Sequence, residues 1–308
     1  AFERIVFPSV AAPALITRIE LKNVADKVLT IRVPAWSRSR ETKPGVFGIY
    51  CFDESLVGAG TFRLQPGERV VYGIVRAARE KAAPPYWCEL GPELAARRAF
   101  VASFGDALVL ETPDPRINLM FRFAKLHATE SIFATRGGLM HAPGGYNSYL
   151  AAIWANDQAE YVSPFFPFLG TAAGNESALN CYRLFSRYTN PAYTYLPWSI
   201  VAEGRDVYGK FDRGDAAMIA HGASRFVLAN GGREQAGELL PLIRWCLEYC
   251  RRMKLPEGVV ASKSDELEGR FPSGKANLCT STLYYDGLLR TADLLDALGE
   301  DPAGAAAY

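Results

Sequence analysis

The hydrophobic positions change period once along the chain. Up to about residue 80, apolar and polar residues alternate in short runs, as in Ile16–Val24 (ITRIELKNV), KVLTIRVPAW, GVFGIYCF and TFRLQPGERVVYGIVRA. Turn residues separate these runs. A period of two bounded by turns predicts β-strands. Strands succeed one another without helices between them, which points to an antiparallel β-sandwich over residues 1–80. Its polar positions read as a solvated sheet face. Residues 81–113 form a junction, with a Pro-rich KAAPPYW and one connecting helix in ELGPELAARRAFVASFGDAL. Pro92 sits near that helix's start, where a missing N–H is harmless.

From Asp114 the apolar residues recur at helical spacing. Asp114 predicts an N-cap, with Pro115 at the first helical position and INLMFRFAKLHATESIF behind it. Further helices are predicted over Asn175–Asn190, Gly214–Gly232, Arg233–Leu255 and Thr280–Glu300. Long Gly-rich, polar and aromatic segments lie between them, over 136–157, 191–213 and 256–279. They recur after every second helix, as expected if helix hairpins present one set of loops to the same end. Ordered loops of this length usually carry function. The predicted fold is mainly α with an N-terminal β domain: an antiparallel sandwich (1–80), a linker with a helix (81–113), and helix hairpins (114–308).

Composition narrows the function. The 308 residues suit about two domains, and 49% hydrophobic residues supply a sizeable core. Lys and Arg number 34 against 33 Asp and Glu, a net charge of +1. That balance offers no basic face for nucleic acid or an anionic membrane. No apolar run of about 18 residues predicts a membrane span. The opening AFERIVFPSV is neither a signal peptide nor a start methionine, and reads as the middle of something. Cys51, Cys88, Cys181, Cys246, Cys250 and Cys279 show no zinc or redox spacing. Cys246 and Cys250, four apart on a helix, suit small core residues. Reduced thiols and a cytoplasmic setting are expected, with no metal and no cofactor.

Two stretches carry candidate chemistry. Gly144–Gly170 packs Trp154, Asn156, Asp157, Gln158, Glu160 and Tyr161 into eight residues between apolar flanks. Wet aromatic surface is costly, and buried amides and carboxylates need partners. A pocket for a polyhydroxylated ligand satisfies both, because aromatic faces stack on sugar C–H faces while carboxylates and amides take hydroxyls. The competing reading is a helix start with an incidental polar cluster. The second stretch, Val259–Leu288, holds Asp265, Glu266 and Glu268 within four residues and enters a helix through Asn277 and Thr280, both possible caps. Crowded carboxylates push one pKa upward, as a general acid requires. The competing reading is a solvated acidic turn offset by Lys263, Arg270 and Lys275. In Phe211–Met218 (FDRGDAAM), an Arg–Asp pair built from Asp212, Arg213 and Asp215 could hold sugar hydroxyls or brace the helix. His141, in HAPGG, could bring an imidazole to the pocket rim or be a satisfied structural residue.

Taken together, these stretches resemble the six-hairpin, or (α/α)6-barrel, glycosidase superfamily. SDELEG…NLCTSTLYY resembles the DEY…N-A-Y-T-N segment of the family-65 maltose and trehalose phosphorylases, where the Glu after the Asp is the general acid. That position here is Glu266. The tyrosine after the acid is replaced by Leu267 and a further acid, Glu268, comes next, so Asp265 and Glu268 stay open as proton donors. IWANDQAEYVSPFFPFLG resembles the W-D-T-E/W-A-W-D stretch of those families and of the family-63 α-glucosidases, which implies a substrate-holding Asp157 with Trp154. DPRINLMFRFAKLHATESIF resembles the first barrel helix of α-rhamnosidase-like enzymes. The resemblance runs from Asp114 to Glu300.

It implies a partial (α/α)6 toroid, a carbohydrate substrate, and an inverting glycoside hydrolase with Glu266 as acid. Trp154, Asn156, Asp157, Glu160, His141, Tyr146, Asp212, Arg213 and Arg270 would contact substrate. A twelve-helix barrel needs on the order of 300 to 400 residues, about twice the length of chain between Asp114 and Tyr308. The expectation is therefore an internal segment of a larger glycosidase, with its base carboxylate beyond Tyr308, no turnover by itself, and apolar helix faces left open. Two alternatives compete: a polysaccharide lyase on a related toroid, recruiting Tyr146, Asn147 and His141, and a non-catalytic carbohydrate-binding protein.

Overall fold

In a computed structural model the alternating segments pair as antiparallel strands. The structure describes residues 1–45, 47–142, 151–265, 267, 269–272 and 274–299. Tyr146, Asn147, Glu266 and Glu268 lie outside the described residues. The chain divides into two units, Ala1–Asp106 and Ala107–Tyr308.

The first unit is built on a five-stranded sheet in the order β1 (Phe2–Pro8), β2 (Ala14–Lys22), β7 (Arg69–Glu80), β5 (Tyr50–Val57), β4 (Ser37–Glu41). A second sheet pairs β3 (Leu29–Val33) with β6 (Gly60–Leu64). Phe7, Ala14, Ile16, Val75 and Ala77 project from one face of the large sheet. They are buried against Cys88, Leu90 and Leu94, at the start of helix α1 (Leu90–Asp106). Gly73 permits the approach: a Cβ there would lie 2.5 Å from Thr17 O and 2.8 Å from Leu90 Cδ1.

The second unit is mainly helical. Helix α2 (Pro115–Glu130) starts where the sequence predicts, with Asp114 accepting from Arg116 N–H at 2.9 Å and Pro115 in the first turn. A hairpin of β8 (Ile132–Thr135) and β9 (Gly138–His141) comes next. After β10 (Ile153–Trp154) come a single π-helical turn (Asp157–Val162), α3 (Phe166–Leu169) and α4 (Ala172–Ser186). β11 (Ser199–Val201) and β12 (Asp206–Tyr208) precede α5 (Asp215–Asn230), α6 (Arg233–Arg252) and α7 (Leu278–Leu298). Helix α5 is central, packed on α6, α7 and the π-turn. Its small residues allow this: Ala220 meets Gly287 of α7, and Gly222 meets the Ala159 backbone. Phe166, Tyr182, Phe185, Met218, Phe226 and Ile243 fill the core around it, each contributing about 1.5–3 kcal/mol by leaving water.

All six cysteines are free, and burial raises the thiol pKa of Cys181, Cys246 and Cys250. Among the described residues no helix is long and apolar enough to cross a membrane. Helix α2 leaves Leu119, Met120 and Phe123 in water, and α7 leaves Leu278, Tyr285 and Leu289.

The three long loops meet. β10 pairs with β11 and β11 with β12, so residues from the first two loops form one small sheet with Trp154, Ser199 and Tyr208 in register. Arg136 N–H donates to the Glu203 carboxylate at 2.8 Å. The third loop joins through Lys263 N–H, which donates to Asp212 O at 3.1 Å.

Candidate active site

The small sheet exists because short extended pieces find one another across two loops, and its junction is strained. Ala151, Ala202 and Glu203 take positive φ (53°, 51° and 57°), a costly state for residues with a Cβ. Glu203 N–H donates to Ala151 O at 3.3 Å, which places two of these residues in contact. Backbone strain of this kind gathers at functional sites, at a cost of order 1–3 kcal/mol each.

This scaffold collects aromatic rings. Trp154 and Tyr208 lie edge-on with centroids 6.2 Å apart. Trp198 meets Tyr208 at 5.4 Å and Phe211 at 4.6 Å, and its indole N–H donates to Phe211 O. Arg213 lies among them, its guanidinium carbon 5.0 Å from the Trp198 ring centre and 5.7 Å from that of Trp154. A planar cation suits an indole face. The same guanidinium reaches Asp215 at 2.7 Å, and neither side chain is exposed.

Burial sets the electrostatics here. It pushes Asp215 up to about 6, against the opposing pull of the Arg213 charge. Asp212 is also raised, chiefly by burial, although its Oδ1 accepts Gly214 N–H at 2.9 Å and the Tyr249 hydroxyl lies beside it. Burial raises the Tyr249 phenol in turn. Gly214, at φ 86°, is required by position: a Cβ would lie 2.3 Å from Thr280 Oγ1. Asp212 and Arg213 are therefore enclosed, and the burial favours bracing over direct contact with sugar hydroxyls.

Asn156, Asp157 and Glu160 are half-buried on the π-turn that leaves β10. Ser163 N–H closes that turn on Gln158 O at 2.9 Å. Single π-turns recur at functional sites. Gln158, wholly buried, ties the turn to β9: its amide donates to His141 O at 2.7 Å and lies 3.0 Å from His141 Nδ1. His141 is thus not at a rim. It is buried edge-on to Phe166, and burial lowers its pKa to about 4. A neutral imidazole packed in this way is a structural tie.

The acidic loop is anchored at both ends of its described part. Asn277 caps α7, its Oδ1 accepting Thr280 N–H at 2.7 Å, while its Nδ2 donates to Ser262 Oγ at 2.6 Å and Ser264 O at 3.0 Å. Ser262 Oγ is 3.1 Å from Thr280 Oγ1. Asp265 is half-buried, and its carboxylate accepts Leu267 N–H at 3.0 Å. Arg270 is exposed, with its N–H closing a turn on Leu267 O at 3.1 Å. Through Lys263 and Asp212 this loop starts beside the Arg213–Trp154 group. Among the described residues no three His, Cys, Asp or Glu could hold a metal ion.

The structure thus joins Trp154, Asp212, Arg213 and the entry to the acidic loop, with Asp157 next on the π-turn. Trp198, Tyr208 and Glu203 also belong to this group. The aromatic wealth of 191–213 was their signal, but no period singles out a residue there.

No protein-family model and no curated protein matches the chain. Solved structures match it in shape. A family-105 glycoside hydrolase from C. acetobutylicum is 12% identical over 66% of this chain and 57% of its own, with a TM-score of 0.42. A rhamnosidase from Klebsiella oxytoca with rhamnose bound is 11% identical over 100% of this chain and 68% of its own, at 0.48. A bacterial glucoamylase complexed with acarbose is 10% identical over 100% and 53%, at 0.47. The chain thus spans little more than half the length of the first and third.

Proposed function

We propose that this chain carries the sugar-binding side of a glycoside hydrolase active site. Trp154 and Asp157 hold the sugar, and Glu266, in the loop entered through Lys263, is the general acid. The observation behind this reading is the tie between the two stretches: Lys263 N–H on Asp212 O, next to the guanidinium that lies over Trp154. That continuity brings the aromatic-carboxylate segment and the start of the acidic loop to one place.

The chemistry is acid-assisted cleavage. The acid gives its proton to the glycosidic oxygen as the bond from the anomeric carbon breaks. In the inverting form, a second carboxylate takes a proton from water as the water oxygen bonds to that carbon from the opposite face, about 6.5–9.5 Å from the first carboxyl. The lyase alternative recruits His141, whose burial against Phe166 and bond to Gln158 count against it.

The test uses the full-length protein on aryl α-rhamnosides and α-glucosides, with product anomers monitored by proton NMR. Glu266→Gln is expected to lower kcat by about 10²–10⁴, and Asp157→Asn to lower kcat/KM. Turnover that survives Glu266→Gln, or an unsaturated product absorbing in the ultraviolet, would sink the proposal.

A further inference from the structure

The large sheet of the first unit has a second face, opposite the one that α1 covers. Arg40, Phe52 and Ala78 stand in register across β4, β5 and β7. One pair further along, Arg38, Glu54, Arg76 and Leu15 do the same across β4, β5, β7 and β2. Residues in register share a face. They line a cleft of about 630 Å³. An adjoining cleft, lined by Arg40, Glu41, Thr42, Lys43 and Phe52, continues it past the same two side chains.

We infer that this groove is a second carbohydrate site, specific for carboxylate-bearing (uronate) oligosaccharides. Charge is the first argument. Glu54 takes both Arg38 and Arg76, so two cations share one carboxylate. Asp53 is matched by Arg79 at 2.6 Å and Glu41 by Lys81 at 2.9 Å. Among the described residues no carboxylate pairs with Arg40 or Lys43. The groove keeps an excess of positive charge on a chain whose net charge is only +1, and a guanidinium fork matches a carboxylate in two-point contact.

Shape is the second argument. Phe52 is 54% exposed although it sits on an inner strand of the sheet. Its register partner is Arg40, and cross-strand neighbours stand about 4.5–5.5 Å apart at Cβ. A flat ring beside a free guanidinium fits a sugar that offers a C–H face next to a ring carboxylate. The choice of a glycan over other organic anions rests on the glycosidase reading above; the site itself belongs to the first unit alone.

The test is calorimetric titration of the intact protein with hexagalacturonate as probe, beside neutral maltohexaose and the hexanucleotide dT6. Hexagalacturonate is expected to bind at least ten-fold more tightly than either control. Arg40→Ala and Phe52→Ala, both at exposed positions, should each weaken it at least ten-fold with unchanged Tm, while Asp157→Asn leaves it intact. Equal binding of maltohexaose or dT6 would overturn the inference, as would affinity unmoved by both β-strand variants. Binding lost with Asp157→Asn but kept in Arg40→Ala and Phe52→Ala would place the uronate in the helical unit and overturn it too, leaving the glycosidase proposal standing. The expected binding pattern in a full-length protein that hydrolyses no glycoside would support the groove and count against the glycosidase proposal alone.

Discussion

Arg213 and Asp215 form an ion pair at 2.7 Å in which neither side chain is exposed. Burying two charges is costly, and removing one partner leaves the other uncompensated, typically at 3–5 kcal/mol. Arg213→Met should therefore lower stability by about 3–5 kcal/mol, measured by urea unfolding. Arg213→Lys keeps the charge but loses the flat face toward Trp154 and Trp198, and should fall between the two. A stability change below about 1 kcal/mol for Arg213→Met would mean that the pair does not brace the loops.

The Asp215 carboxyl gives this brace a pH signature. Its folded pKa is raised from 3.8 to about 6, so between those values the folded state holds a proton that the unfolded chain has lost. Its contribution is fully present below about pH 4 and is lost as pH rises through 6. Stability of the wild type relative to Asp215→Asn should fall across that window and be level above it. A difference that rises across the window would contradict the burial that sets the shift.

The large elements were legible because their signals are local and repeated. The Asp114–Pro115 start of α2 and the Gly231 stop of α5, at φ 69°, arise from capping chemistry. Alternation exposed the inner strands, where one face is buried. It failed at β4, Ser37–Glu41, which is exposed along its whole length and shows no period. The candidate site was half legible. Trp154 and the acidic loop stand out by composition. The β10–β11–β12 sheet does not, because strands of two or three residues carry no periodicity. The π-turn is a hydrogen-bond register with no residue signature. The position of His141 depends on burial, which a lone histidine ahead of a Pro-Gly-Gly run in the sequence cannot report.

His141 should act in the opposite sense to Asp215. Burial lowers its pKa from 6.5 to about 4, so over that range the unfolded chain takes up a proton that the folded one refuses. Its contribution is present above pH 6.5 and lost as pH falls through 4, on the order of 3 kcal/mol in full. His141→Asn should remove this acid sensitivity from the urea midpoint, whatever its cost at neutral pH. An unchanged slope between pH 6.5 and 4 would show that His141 is solvated.

Gly222 tests whether the π-turn is held by α5. A Cβ there would lie 2.3 Å from Ala159 O and 2.5 Å from Ala159 Cα, both backbone atoms, so the turn carrying Asp157 and Glu160 must move. Gly222→Ala should cost about 1–3 kcal/mol by overpacking and, under the proposed function, lower glycosidase activity. Gly287→Ala is the control, since its nearest contacts are 3.3 Å and include mobile side-chain atoms. Equal effects of the two on activity would detach the π-turn from the site.

Asn277 separates stability from loop placement, because its two ends do different work. Its oxygen caps α7 through Thr280 N–H, while its amide nitrogen holds Ser262 and Ser264 at the entry to the acidic loop. Asn277→Asp keeps the capping oxygen and loses the donor, whereas Asn277→Ala loses both. Losing the cap alone costs about 1 kcal/mol. Asn277→Asp should therefore retain most of the thermal stability; under the proposed function it should also lower kcat about as much as Asn277→Ala does, with KM changed less, since a proposed general acid held in the wrong place would weaken proton transfer more than binding. Full activity in Asn277→Asp would show that the loop finds its position without this tether, and the Lys263–Asp212 contact would then be the anchor to break next.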